Sequence, residues 1–156
     1  MKRDLKAMIK LGLFLAMADF DAAKKELETL AGLAKYLADK NPTVINSQDI
    51  TSKAFLEITE ESLAEFMKIM NLAEDKEVIS QEMLKAISQE AQHITDVPLR
   101  ELTLKFCCVI AFADKDFKDI EFSVIKLIHQ YWVGRSDGWN KDLNVHLKRV
   151  GILIQQ

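Results

Sequence analysis

The sequence predicts an all-α fold: a compact single-domain bundle of seven to eight short helices spanning residues 1–156, with two related helix-turn-helix units. Three observations carry this. Apolar residues recur at three- and four-residue spacing along the chain, and no stretch alternates as a half-buried strand does. Only 5 Gly and 2 Pro occur, too few for the tight turns of an all-β fold. A chain of 156 residues is the size of one domain and can bury about two-thirds of the surface its unfolded form exposes.

The first helix is expected over about residues 4–18, where Leu5, Met8, Ile9, Gly12, Leu13 and Leu15 to Met17 make a wide apolar face on an amphipathic segment. Asp21 is placed to cap a second helix that carries Leu27, Leu30, Leu33, Ala34 and Leu37 inward and ends near Asn41-Pro42. Residues 41–52, "NPTVINSQDITS", form a polar loop with a short helix after it. Thr59 is expected to cap a helix bearing Leu63, Phe66, Met67, Met70 and Leu72, and Ser80 one bearing Met83, Leu84, Ile87, Ala91 and Ile94. Asp96-Val97-Pro98 opens a helix to Ala113, with Pro in the first turn, where its missing N–H is harmless. That helix is apolar nearly all round, which predicts the centre of the fold. Another follows from Phe117 to Trp132 with Gly134 as its C-cap; after the turn "RSDGW", an amphipathic helix carries Leu143, Leu147 and Val150.

Composition excludes several partners. A net charge of -3 and a pI near 5.7 give no footprint for nucleic acid or an anionic membrane. The basic and then apolar start, "MKRDLKAMIKLGLFLAMADF", lacks a cleavage site, is interrupted by Asp4 and Asp19, and is too short to span a bilayer. Cys107 and Cys108 are adjacent, so on a helix they point about 100° apart and are poorly placed to bridge each other. Together these features predict a cytoplasmic protein.

The chain carries an internal repeat. Residues 16–26, "AMADFDAAKKE", and residues 111–121, "AFADKDFKDIE", both fit A-[MF]-A-D-x-D-x4-E. Each copy follows one apolar helix and opens another, so the two copies predict two related helix pairs, facing each other about a pseudo-twofold axis. On these motifs, and on the short helices between them, the sequence over residues 4–150 resembles the TerB-like family, named for a tellurite-resistance protein. Phe20 and Lys115 stand where members of that family often carry Gly. The resemblance implies a compact helical domain with an acidic surface, a divalent-metal site, and a role in stress response or as a module of larger assemblies. It implies no enzymatic reaction and no organic cofactor.

The residues of the repeat set the candidate chemistry. Asp19 and Asp114 are expected at helix C-termini, where the helix dipole disfavours a negative charge. Asp21 and Asp116 fall near the next N-terminus, and Glu26 and Glu121 about one turn further on. Carboxylates gathered in one turn repel unless protonated, paired with donors or bridged by a hard cation such as Ca²⁺ or Mg²⁺. The six residues are therefore candidate ligands for a divalent cation. They are equally candidates for helix caps, in a module whose partners are other proteins, or for an acid-base pair if a pocket adjoins them. Asp119 drops out, since Lys24 stands at its place in the first copy. The repeat is no EF-hand, because the twelve-residue loop with its central Gly is absent. Glu90-Ala91-Gln92-His93 is an isolated E-x-x-H, expected as a surface pair, and the two cysteines are expected in the core.

Overall fold

The computed structural model describes residues 2–17, 24–72, 80–113 and 119–133. Among them are six helices: α1 (Arg3–Met17), α2 (Lys24–Lys40), α3 (Ser52–Leu72), α4 (Gln81–Ala91), α5 (Val97–Ala113) and α6 (Asp119–Val133). A single 3-10 turn, Ser47–Asp49, lies in the polar loop before α3. The described residues contain no strand, and the all-α expectation holds. The expected last helix and Gly134 lie outside the described residues.

Several helix starts follow directly from the local sequence. The Ser80 hydroxyl accepts from the Met83 N–H at 3.2 Å, and the Asp96 carboxylate from the Leu99 N–H at 3.2 Å. Each satisfies a donor that the first turn leaves without a helical partner. The Asn41 side-chain amide donates to the Leu37 carbonyl at 2.8 Å and closes α2.

The start of α3 corrects the sequence expectation. Thr59 is not a cap; it is buried within the helix, and its hydroxyl donates to the Phe55 carbonyl one turn back, at 2.8 Å. The cap is Thr51, whose hydroxyl accepts from the Ala54 N–H at 3.1 Å. The helix therefore begins eight residues earlier, and Phe55 and Ile58 join its buried face.

Helix packing brings a second correction. The expected centre was α5, but the hub is α1. It touches all five other described helices, which close a ring around it in the order α2, α3, α4, α6, α5. Every residue from Ala7 to Leu15 is consequently buried. A helix enclosed on all sides needs apolar residues on all sides, and Lys10 is the one charged residue between Ala7 and Met17. Phe14 and Phe66 stack at 6.5 Å between α1 and α3. At Gly12 the hub packs tightly on α5: a Cβ there would fall far inside contact distance of the Phe106 ring. The Trp132 indole N–H donates to the Ala91 carbonyl at 2.9 Å, and the Arg100 guanidinium lies 5.7 Å from the Trp132 ring centre. These contacts bind α4, α5 and α6 together at one end of the ring.

Candidate functional site

The two acidic segments follow α1 and α5, and α2 and α6 open after them. Asp19, Asp21, Asp114 and Asp116 lie outside the described residues, as does the side chain of Glu26. Glu26 lies on α2 and Glu121 on α6. Glu121 is buried, 3% exposed, beside Ile120 and Val124. Among the described residues no three His, Cys, Asp or Glu side chains are grouped so as to hold a metal ion.

The described residues do contain a charged cluster at the hub. Arg3, Lys6 and Lys10 recur along one side of α1 at helical spacing. The Lys10 ammonium, on a residue only 5% exposed, lies 2.9 Å from Glu65 Oε2 of α3 and 3.0 Å from Glu90 Oε1 of α4. Glu61 Oε1 stands 4.0 Å away, and the other oxygen of Glu61 pairs with Lys6 at 3.0 Å. The Phe14 ring centre lies 6.0 Å from the same ammonium. Further toward the surface, Arg3 Nη2 and His93 Nε2 are 3.4 Å apart. The seam thus runs from a buried ammonium to a half-buried imidazole, and it joins α1 to α3 and α4.

Electrostatics keeps this cluster ionised. Burial alone would push the Lys10 ammonium toward its neutral form; hydrogen bonds to Glu65 and Glu90, with the charges of both, outweigh that and hold its pKa above the ordinary lysine value. The hydrogen bond from Lys6 holds the Glu61 carboxyl below its usual range against a smaller opposing effect of burial. A protonated, enclosed lysine is no nucleophile, because its lone pair carries a proton. In this cluster the ammonium occupies the place a metal ion would take among carboxylates.

The sequence singled out Glu90 and His93 but expected a surface pair. The structure separates their roles: Glu90 turns inward to Lys10, and His93 meets Arg3. Lys10 itself was passed over. Its signal is a lone charge inside an apolar run, which in a buried helix demands a partner. The two cysteines are core residues of α5, as expected. Burial, with a smaller contribution from its neighbour Cys108, pushes the Cys107 thiol well above its ordinary range; burial pushes Cys108 up to about 12. Neither forms a thiolate near neutral pH.

No family model, no curated protein and no solved structure matches the chain. Among the described residues, no helix is long and apolar enough to cross a membrane.

Proposed function

We propose that the protein is a non-enzymatic, TerB-like cytoplasmic domain. Its twin acidic turns take up a divalent cation through Asp19, Asp21 and Glu26 and through Asp114, Asp116 and Glu121, in tellurite resistance or a wider stress response carried out with protein partners. The observation that carries this reading is the repeat of A-D-x-D-x4-E, together with the packing of the helices around it. The repeat offset pairs α1 with α5 and α2 with α6. It pairs Gly12 with Cys107, next to Phe106, whose ring faces Gly12. It also matches the contacts: α2 packs on α5 as α6 packs on α1. Both relations support two equivalent helix pairs. Met17 and Ala113, where α1 and α5 end, lie five and seven residues past that close approach. At 1.5 Å per residue and an interaxial distance near 9 Å, the two ends are at most about 20 Å apart.

The alternative is a protein-interaction module whose acidic turns are structural caps. It draws support from Asp21 and Asp116, residues of the type that cap helix starts, which precede α2 and α6 in the sequence. Calorimetry with Ca²⁺, Mg²⁺, Mn²⁺ and Zn²⁺ tests the first reading. Binding heat with one of them, lost in Asp19→Asn and Asp114→Asn, is expected. No heat and no shift of melting temperature with any of the four removes the cation and leaves the interaction module.

A further inference from the structure

The ring leaves one long helix face open. On α3, Leu56 is 58% exposed and Met67 63% exposed, with half-buried Leu63 between them on the same side of the helix. Successive residues turn by about 100°, which places these three within about 40° of arc, an apolar stripe running eleven residues along the helix. Exposed Lys53, Glu57, Glu60 and Lys68 lie along one flank of it, and among the described residues none of them takes an ion pair.

We propose that this face binds a second copy of the same chain, the two α3 helices lying antiparallel about a twofold axis close to Leu63. Charge pattern and apolar pattern select the same register. A twofold of this kind sets each flank of the helix against the same flank of its mate. With Glu57 level with Lys68 of the second copy, Leu63 falls beside its own copy and Leu56 beside Met67, each within about 3 Å along the axis at 1.5 Å per residue. Glu60, one turn on from Glu57, reaches toward the same ammonium. Each chain thus supplies one residue to each of two identical charge pairs around an apolar centre. A parallel twofold would instead set this flank against the opposite flank of the second copy and leave Glu57 and Lys68 about 16 Å apart along the axis at 1.5 Å per residue, with no charge pair formed. Three apolar side chains per copy make a small interface, well below the roughly 1,200 Å² of stable complexes, so the dimer is weak and depends on concentration.

Sedimentation velocity between about 10 μM and about 1 mM, the range in which so small an interface assembles, tests the proposal. The unaltered protein is expected to shift from monomer to dimer across that range. Glu57→Lys alone and Lys68→Glu alone should each stay monomeric, while an equimolar mixture of the two should dimerise, because only the mixed pair is complementary at both contacts. Met67→Lys should stay monomeric alone and in every mixture. All of these positions are exposed, so the helical circular dichroism of each variant should equal that of the unaltered protein. A protein that is monomeric throughout overturns the proposal, as does a dimer that the single charge reversals leave intact.

Discussion

The buried ammonium of Lys10 is the residue on which the hub depends. Two carboxylates from two different helices converge on it, at 2.9 and 3.0 Å. Removing one partner from a buried ion pair leaves charge without compensation, which costs more than the pair itself contributes. In Lys10→Met the unbranched apolar chain fills most of the space, yet Glu65 and Glu90 remain turned toward each other. We expect a loss of about 3 kcal/mol at pH 7, the lower end for a broken buried pair because Glu65 keeps some contact with water. The loss should shrink by half or more at pH 7 when Glu65→Gln and Glu90→Gln are added, because neutral amides leave no uncompensated charge. Urea unfolding of the single and triple variants measures this. An equal loss in both would show that Lys10 acts through its volume and not its charge. The network was partly legible in the sequence: a lone lysine within "AMIKLGLFLAM" requires a partner. Which carboxylates answer it was not legible, because Glu65 and Glu90 lie 55 and 80 residues away in the chain and no local spacing relates them to Lys10.

At the scale of elements, caps were legible where a side-chain acceptor stands directly before an apolar periodic run, as at Ser80 and Asp96. Thr59 looks equivalent in sequence, and two features of α3 explain the misreading. Phe55 and Ile58 already continue the buried spacing upstream of Thr59. The hydroxyl that could cap a helix can also bond to its own preceding turn, and burial decides between the two. A prediction follows for each threonine. Thr51→Ala removes the acceptor for the Ala54 N–H and should destabilise the protein by about 1 kcal/mol, the usual cost of a lost cap. Thr59→Val keeps the shape and discards a bond that competes with the helix, so its effect should stay under about 1 kcal/mol, with unchanged helical content. Thermal unfolding followed by circular dichroism ranks the two. A larger loss at Thr59 would restore it as the functional start of the helix. The open face of α3 was legible in its residues but not as a surface, since Leu56 and Met67 satisfy helical periodicity equally well as core positions.

At the scale of the molecule, the sequence supports the helical class but not the arrangement. A helix that is apolar all round can be a hub or part of a ring, and periodicity cannot choose between them. The three basic residues of α1 made it look amphipathic, whereas α5 carried fewer charges and looked more central. In the folded protein the charges of α1 are matched by facing helices, and α5 takes a place in the ring, with Lys105, Val109 and Ile110 half-buried. Tying a central helix to its ring through ion pairs makes the whole assembly sensitive to pH at both extremes, with opposite signs. The folded-state pKa of Lys10 is raised above 10.5, so its contribution is complete below the unfolded value and is lost as pH rises through the folded one. The folded-state pKa of Glu61 is lowered below 4.5, so its contribution is present above that value and is lost as pH falls through the folded one. The acid limb from Glu61 is shallow, because half of its side chain meets solvent and water screens the pair. The melting temperature should therefore hold a plateau from about pH 5 to about pH 10, and fall more steeply on the alkaline side than Glu61 alone makes it fall on the acid side. In Lys10→Met the alkaline fall should begin later and be shallower, while in Lys6→Met the acid side alone should change. Melting curves from pH 3.5 to 11.5 on the three proteins check both limbs, and an alkaline limb identical in Lys10→Met and the unaltered protein would remove Lys10 as its source.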